Sequence, residues 1–163
     1  MKILNESQIK QKIKRLAIEI LEKNSDAKEL TLGGINNKGY AFAEFIKKEL
    51  SNFSSIPVYL TRIKLNPAAP LTQEITIELP LSQLDKKTII IVDDVANTGR
   101  TLFYAMKPIL QVLPKKVEVA VLVDRMHKSY PINADYVGLT LSTTMDENIE
   151  VDMASKEWSV ELN

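Results

Sequence analysis

TIIIVDDVANTGRT, residues 88–101, is the stretch of this sequence that decides the fold. Its first five residues, 88–92, form an uninterrupted run rich in β-branched side chains, which is typical of a parallel strand covered on both faces. Two carboxylates, Asp93 and Asp94, follow the strand, and a loop of small and hydroxyl residues leads into an amphipathic segment that begins near Thr101. This order of strand, acidic pair, loop and helix predicts an α/β fold with the strand at its centre.

The loop after the acidic pair predicts a phosphate-binding site. A helix N-terminus presents unpaired backbone N–H groups and the positive end of the helix dipole, so the preceding loop can surround a phosphate. Gly99 allows close approach of the backbone, and the hydroxyls of Thr98 and Thr101 can donate hydrogen bonds. Carboxylates would repel a phosphate, but they accept hydrogen bonds from ribose hydroxyls and attract hydrated Mg²⁺. The motif therefore predicts a sugar phosphate that carries a metal; the structural alternative is a buried strand ending in a solvated acidic turn.

Two segments resemble a known family. IVDDVANTGRT is similar to the signature that binds phosphoribosyl pyrophosphate (PRPP) in type I phosphoribosyltransferases, a hydrophobic strand followed by DDxxxTGxT. Residues 119–143 resemble the corresponding part of the bacterial pyrimidine operon regulators that double as uracil phosphoribosyltransferases. The resemblance runs from Ile3 to about Asp152 and is weakest between Val58 and Leu79.

The resemblance implies a fold, a reaction and a set of site residues. The fold is the α/β type I phosphoribosyltransferase fold, with a central, mostly parallel sheet flanked by helices, a small hood and a flexible hairpin loop. The reaction is transfer of the phosphoribosyl group of PRPP·Mg²⁺ to a nucleobase, in the first interpretation uracil, which forms UMP and diphosphate. Asp93 and Asp94 would act as the catalytic acidic pair, holding the ribose and, through water, the metal. The 5′-phosphate loop would comprise Val95, Ala96, Asn97, Thr98, Gly99, Arg100 and Thr101.

A second glycine-rich segment, GGINNKG at residues 33–39, follows a short predicted strand and precedes a helix predicted to begin at Tyr40. Alone it indicates phosphate binding only weakly, because strand-glycine-helix turns are common. In the resembled family the equivalent loop holds the pyrophosphate of PRPP. The residues carried over are Gly34, Ile35, Asn36, Asn37, Lys38 and Gly39. The resembled branch has Thr-Arg where this chain has Asn37-Lys38, and lysine keeps the charge but loses the bidentate fork of arginine.

Strand-like segments at residues 57–63 and 75–79 flank KLNPAAPLTQ and predict a hairpin with a mobile tip. Phosphoribosyltransferases close such a loop over the site and exclude water. The uracil-using relatives have a longer loop with an arginine followed by acidic residues, whereas this chain offers only Arg62 and Lys64. Slow or absent catalysis is therefore an open alternative.

Asp124 and Arg125 end a strand predicted at residues 117–123. If the strands are parallel, both residues lie at the sheet edge where ligands of open α/β sheets bind, which makes them candidate site residues. A structural ion pair is the alternative. In the resembled family the following segment helps to build the hood over the base. The residues implied there are Ala134, Asp135 and Tyr136. For Asp135 the alternative is a turn cap.

Two helices and some edge strands complete the predicted elements. Asn5 and Gln8 form the pattern of a capping box for a helix that ends near Asn24. A second helix is predicted over residues 102–113, with a kink or an earlier end at Pro108. The weakly alternating remainder of the chain predicts edge strands.

Composition bounds the class of protein. A chain of 163 residues suffices for one domain, 1–163, with its own core. Its 21 Lys+Arg balance 21 Asp+Glu, so no net charge steers it toward nucleic acid or an acidic membrane. It has no cysteine and one histidine, which excludes disulfides and the usual histidine-rich metal sites. With neither a long apolar run nor a leader, we expect a cytoplasmic protein without a membrane segment.

Three functions are compatible with the sequence. The first is an enzyme whose partners are PRPP and a nucleobase or nucleotide. The second is a nucleotide-responsive attenuator that binds the mRNA leader of pyrimidine genes, for which a basic dimer face is required and the zero net charge is unfavourable. Candidate residues of that face are Lys12, Arg15, Arg125, His127 and Lys128. The third is a non-catalytic nucleotide-binding sensor of the same fold. The resemblance also implies a homodimer or a tetramer.

Overall fold

A computed structural model describes residues 1–163 as nine strands and three α-helices. The strands are β1 (Lys2–Asn5), β2 (Leu30–Ile35), β3 (Val58–Lys64), β4 (Thr76–Ile77), β5 (Thr88–Ala96), β6 (Lys116–Arg125), β7 (Tyr136–Leu141), β8 (Ile149–Asp152) and β9 (Ser159–Leu162). The helices are α1 (Glu6–Lys23), α2 (Asn36–Leu50) and α3 (Arg100–Ala105). No helix combines the length and the apolarity that crossing a bilayer requires.

The main sheet has six strands in the order β4-β3-β2-β5-β6-β7. All neighbouring strands in it are parallel except β4, which pairs antiparallel with β3 as the second arm of a hairpin. β5 lies inside the sheet between β2 and β6. The predicted central parallel strand is therefore confirmed, and it is longer than predicted because it includes the acidic pair.

Side chains of β5 alternate between two hydrophobic cores. Ile90 and Val92 belong to the core under α1 and α2, and Ile89 and Ile91 belong to the core on the face of α3 and the hairpin. All four are completely buried. Because successive side chains of a strand point to opposite faces, a strand covered on both faces must be apolar at every position.

The predicted helix ends are confirmed for α1, and the helix after β5 ends early. Asn5 and Gln8 exchange side-chain and backbone hydrogen bonds in a complete capping box, and the helix ends beside Asn24. For the helix predicted over 102–113 with a kink or an earlier end at Pro108, the structure shows the earlier end, because α3 ends at Ala105 and a separate 3₁₀ turn follows Pro108. Leu110 is 78% exposed as a result.

A second, antiparallel sheet of three strands, β1-β9-β8, forms the small hood. Lys2 pairs with Glu161, so the sheet joins the two ends of the described chain. Leu4, Val151 and Val160 are buried in the core under α1 and α2. The late edge strands were predicted, whereas the β1 strand was not.

Candidate active site

The segments with candidate site residues meet at one edge of the main sheet. β2, β5, β6 and β7 run parallel, and their carboxyl ends lie side by side. Gly34 of β2 is level with Val92, and Ala96 is level with Asp124 of β6. This edge, beyond the carboxyl ends of the strands, is where open α/β sheets bind their ligands.

The predicted pyrophosphate loop is a strand end followed directly by a helix. Gly34 and Ile35 are the last residues of β2, and Asn36, Asn37, Lys38 and Gly39 form the first turn of α2. The expectation of a loop before a helix at Tyr40 is corrected, because pairing with β3 extends β2 to Ile35, directly before the helix.

The first turn of α2 is suited to an anion. Ile35 occupies the cap position and supplies no side-chain hydrogen bond, and the turn contains no acidic residue. In α1, by contrast, the side chain of Asn5 caps the amide of Gln8 in the first turn. The N-terminal N–H groups of a helix need external acceptors, and an oxyanion with its negative charge is the best available.

α2 also touches the acidic pair. A Cβ placed on Gly39 would lie 2.6 Å from the backbone oxygen of Val92 and 3.3 Å from Asp93 Oδ1. Only a residue without a side chain can therefore bring this turn so close to the end of β5. The carboxylate of Asp93 consequently borders the amides that face the predicted diphosphate position.

The loop between β5 and α3 forms a small cradle. The amide N–H groups of Asn97, Thr98 and Gly99 donate to no acceptor in the chain. Gly99 adopts a left-handed conformation with φ of 88°, which favours glycine. The cavity has a volume of about 40 Å³ and fits a phosphate group rather than a nucleoside. Its lining residues are Val95, Ala96, Asn97, Thr98, Gly99, Arg100, Thr101 and Leu102. Consecutive unpaired amides of this kind form an anion-binding concavity.

The segment after β6 supports the cradle from behind. The amides of Ser129 and Tyr130 donate to the carbonyl of Thr98 at 2.9 and 3.2 Å. Lys128 Nζ donates to the carbonyl of Asn97 at 2.9 Å. The carbonyls of Asn97 and Thr98 are therefore occupied within the chain, whereas the amides of residues 97–99 have no acceptor there.

Asp124 and Arg125 are engaged in contacts within the protein. Asp124 forms an ion pair with Lys128 at 2.5 Å. The Arg125 guanidinium donates to Asn97 Oδ1, to Thr143 Oγ1 and to a backbone carbonyl. Both residues lie at the predicted sheet edge, and the structure favours the alternative of an ion pair for Asp124. Arg125 braces the loop between β5 and α3 through Asn97.

Ala134, Asp135 and Tyr136 are not brought to this edge. β7 begins at Tyr136, so these residues lie at the opposite, amino end of the sheet. The Asp135 carboxylate accepts a hydrogen bond from the amide of Val119. The Tyr136 hydroxyl is buried and donates to Glu118, and burial raises its pKa far above the usual tyrosine value. The expected base-reading role of 134–136 is corrected for this reason.

A different segment faces the acidic pair. A pocket of about 350 Å³ separates the first turn of α2 from β8 of the hood. The residues lining it are Asn37, Lys38, Ala41, Asp94, Glu150, Val151, Asp152, Met153 and Ala154. Lys38 Nζ crosses the pocket and donates to the carbonyl of Val151 at 3.2 Å. No local signal in the sequence indicated the hood side of this pocket, because a four-residue strand far along the chain carries no motif.

Arg62 and Lys64 lie in β3, and their expected place in the flexible loop is corrected. Arg62 is paired with Gly34 of β2, its guanidinium lies 4.3 Å from the ring of Tyr40, and it reaches Glu78 of the hairpin at 3.8 Å. Lys64 is paired with Thr76 across the hairpin. Strand pairing extends β3 to Lys64, so the loop itself is confined to residues 65–75.

The carboxyl group of Asp93 is electrostatically unusual. Burial raises its pKa well above the usual aspartate value, and the negative charge of the adjacent Asp94 raises it further. The ammonium of Lys38 acts in the opposite direction and is the smallest of the causes. The site therefore has unbalanced negative charge, which a cation or a hydroxyl donor would relieve.

This shift predicts a pH effect on stability. Between the ordinary aspartate pKa and the raised one, the folded protein binds more protons than the unfolded chain. The free energy of unfolding therefore falls as pH rises through this window, and the loss persists above it. We expect Asp93→Asn to raise the melting temperature at about pH 8, with the gain vanishing at about pH 3, below both pKa values.

Asp26→Asn is the matched control for this measurement. Its own backbone amide and the nearby Lys115 lower the pKa of Asp26. This carboxylate contributes stability above its unfolded pKa, so its replacement changes the melting temperature in the opposite direction. An Asp93→Asn protein less stable than wild type at pH 8 would contradict the interpretation.

The acidic pair fits a metal that arrives with its substrate. No group of three or more His, Cys, Asp or Glu side chains is placed to hold a metal ion. One oxygen of Asp93 accepts the amide of Asp94, and one oxygen of Asp94 accepts the amide of Val95. Mg²⁺ keeps several waters and commonly binds through one or two carboxylates together with substrate phosphates. The donor set suits that kind of binding.

Comparison with known proteins assigns the family. The Phosphoribosyl transferase domain family model matches residues 2–158. The chain therefore belongs to the type I phosphoribosyltransferases, and within them it is PyrR-like. It is 35% identical over 158 residues to the pyrimidine operon regulatory protein of Lactococcus lactis subsp. lactis, covering 95% of this chain and 91% of the relative. It is 36% identical over 165 residues to the bifunctional protein PyrR of Clostridium kluyveri, and the match covers 93% of this chain and 89% of that relative.

Solved structures show the same fold. The hypoxanthine phosphoribosyltransferase of Trypanosoma cruzi matches with a TM-score of 0.80 at 19% identity, covering 99% of this chain and 95% of that one. A hypoxanthine-guanine phosphoribosyltransferase (hpt-2) of Bacillus anthracis matches with a TM-score of 0.77 at 21% identity, covering 99% and 96%. These likenesses confirm the predicted fold class.

Proposed function

We propose that this protein transfers the phosphoribosyl group of PRPP·Mg²⁺ to uracil and forms UMP and diphosphate. The observation that carries the proposal is the position of the acidic pair between two anion sites. Asp93 borders the uncapped first turn of α2, and the unpaired amides of the cradle begin at Asn97, three residues after Asp94. PRPP has a phosphate at each end of a pentose with two free hydroxyls, so its groups match this order.

Each part of PRPP has a proposed partner. The 5′-phosphate lies on the amides of residues 97–99, and the diphosphate lies at the first turn of α2 with Lys38 as its cation. Asp93 and Asp94 accept hydrogen bonds from the ribose hydroxyls. Mg²⁺, when bound, neutralises diphosphate charge and is held by the acidic pair through water.

The base has room in the pocket between α2 and the hood. Asp94 and Val151 both line this pocket, and the carbonyl of Val151 accepts a hydrogen bond from Lys38. A base held there presents a ring nitrogen to C1′ of the ribose, and this nitrogen displaces diphosphate. The protein contributes orientation of the reactants and stabilisation of the charge on the leaving group, and no covalent nucleophile is required.

Lys38→Met is expected to weaken binding of diphosphate by about tenfold or more, since a charge-assisted hydrogen bond contributes roughly 1.5–3 kcal/mol. Lys38→Arg, which keeps the charge, should retain most of the affinity. Lys47→Met in the last turn of the same helix is the control for loss of a lysine. Inhibition of transfer by diphosphate measures the affinity, and an unchanged inhibition constant in Lys38→Met would refute the assigned role.

The direct test is an assay with radiolabelled bases, PRPP and Mg²⁺. Uracil is compared with guanine, hypoxanthine and orotate under identical conditions, and the expected product is labelled UMP. Transfer to a purine instead would refute the assigned base and keep the reaction class. Binding of PRPP without any transfer would favour the non-catalytic sensor.

RNA-binding attenuation is the second candidate function. It is favoured by the names of the relatives, pyrimidine operon regulatory protein and bifunctional protein PyrR. Four of the five residues proposed for the basic face have partners in the chain. Arg15 donates to Gly138, Arg125 to Asn97 and Lys128 to Asp124, and the His127 ring contacts the carbonyl of Thr143. A gel-shift experiment with pyrimidine-operon leader RNA at several salt concentrations tests this function. The slope of log affinity against log salt concentration reports how many phosphates the protein contacts. Light scattering tests the proposed dimer.

A further inference from the structure

The segment between the two hairpin strands, residues 65–75, is attached to both phosphate-binding segments. It leaves β3 after Lys64 and enters β4 at Thr76. Its first and last residues, Leu65 and Ile75, are only 7% and 5% exposed and belong to the core on the α3 face. We call residues 65–75 the hairpin segment. Its middle is exposed, so the contacts made by its backbone decide where it lies.

Asn36 attaches the hairpin segment to the diphosphate side. Its side-chain oxygen accepts the amide N–H of Leu65 at 3.1 Å. Asn36 begins α2 in a left-handed conformation with φ of 52°, which costs most side chains energy but is tolerated by asparagine. The unusual backbone and the hydrogen bond occur together in one residue of the turn that faces the diphosphate.

Arg100 attaches the hairpin segment to the 5′-phosphate side. Its guanidinium donates to the carbonyl of Pro67 at 2.8 Å. Arg100 is the first residue of α3 and lines the phosphate cradle. The neighbouring turn is ordered by its own bonds, since Asn66 accepts the amide of Ala68 and Ala69 accepts the amide of Thr72. The segment therefore has two attachments, one from each end of the site.

We propose that Asn36 and Arg100 are positioning residues that hold the hairpin segment across the site, one from each phosphate-binding segment. The inference rests on the proposed function, because the two segments matter together only for a ligand with two phosphate ends. A ligand that occupies both the diphosphate and the 5′-phosphate positions orders both the Asn36 and the Arg100 contacts. The ordered hairpin segment then keeps water from the ribose carbon during transfer. A ligand that fills one end fixes one attachment and leaves the other mobile.

Hydrogen exchange of the ligand-free protein tests the attachments. Asn36→Gly tolerates the left-handed backbone and removes the acceptor, and Asn36→Asp keeps both. We expect the Leu65 amide to exchange about fivefold faster in Asn36→Gly and to remain protected in Asn36→Asp, as the loss of one hydrogen bond implies. Arg100→Met should accelerate exchange in residues 66–69 by a similar factor, and Arg100→Lys by less. The amide of Val121 in β6 reports any global loss of stability.

The fate of PRPP tests the consequence. Asn36→Gly and Arg100→Met are expected to increase severalfold the fraction of PRPP that is hydrolysed to ribose 5-phosphate rather than transferred to uracil. A change in packing alone would lower the rate without changing this ratio. Unchanged exchange in both variants would overturn the proposal, and so would faster exchange with an unchanged ratio.

Failure of the proposed function gives a distinct result. A wild-type protein that neither transfers nor hydrolyses PRPP would refute the enzymatic function. The positioning role is then decided by exchange with inorganic diphosphate or ribose 5-phosphate added. Diphosphate should slow exchange of the Leu65 amide in wild type and have no effect on it in Asn36→Gly. Ribose 5-phosphate should slow exchange at residues 66–69 in wild type and have no effect there in Arg100→Met. Equal exchange with and without these ligands would overturn the role.

Discussion

Replacing Asp94 by asparagine is expected to lower kcat/KM for phosphoribosyl transfer on the order of a hundredfold. Each hydrogen bond from a ribose hydroxyl to a carboxylate contributes roughly 1.5–3 kcal/mol, and the substitution also removes a charge that attracts Mg²⁺. Asparagine retains an oxygen that can accept the amide of Val95, as Asp94 does, so the strand end should be preserved. Steady-state kinetics with PRPP as the varied substrate measures the effect.

Asp26→Asn serves again as the control, because it removes one carboxylate from an exposed ion pair with Lys115. Its kinetics should equal those of wild type, since surface ion pairs contribute little. Full activity in Asp94→Asn, with unchanged dependence on Mg²⁺, would remove the acidic pair from the mechanism. The function would then have to be assigned again from the other contacts.

Gly39→Ala is expected to have the second largest effect. The added Cβ would lie 2.6 Å from the backbone oxygen of Val92, a distance that neither backbone segment can accommodate without moving. We expect the free energy of unfolding to fall by about 1–3 kcal/mol, although alanine is normally preferred to glycine within a helix. A shift of α2 of about 1 Å displaces the diphosphate amides from Asp93 and should reduce transfer about a hundredfold.

Gly33→Ala is the matched control for Gly39→Ala. Its Cβ would meet the end of the Ile63 side chain at 3.1 Å, which can move, rather than backbone. We expect a smaller loss of stability and little change in transfer, measured by urea unfolding and the uracil assay. If both substitutions behave alike, the close approach of α2 to β5 is not what positions the site.

The sequence was informative wherever the structural signal is local. The β-branched run before Asp93 predicted the central strand, because a strand buried on both faces permits apolar residues only. Asn5 and Gln8 predicted the start of α1, because a capping box is completed within one helical turn. Gly99 was predicted to allow close approach of the backbone to an anion, and the structure adds that its left-handed backbone conformation favours glycine.

Elements that depend on distant partners were not predictable in the same way. The resemblance assigned Arg62 to the flexible loop, but Arg62 lies in β3 and pairs with Gly34 of β2, and this strand extends one residue beyond its predicted end. Val151 was not associated with a pocket, because its position opposite Lys38 depends on the pairing of the hood sheet. Tyr136 was carried over from the resemblance to the wrong end of the sheet, since no residue near it indicates where β7 begins.

Because Lys2 of β1 pairs with Glu161 of β9, the hood sheet closes almost the whole chain into one ring. Ordering so long a ring costs more chain entropy than any pairing within the main sheet, so contacts that depend on it form late in folding and break early. Val151 belongs to that sheet and Asp93 does not. We therefore expect partial unfolding to disrupt the Val151 side of the proposed base pocket first. A protein in that state is expected to bind the activated pentose still, but no longer to distinguish among bases.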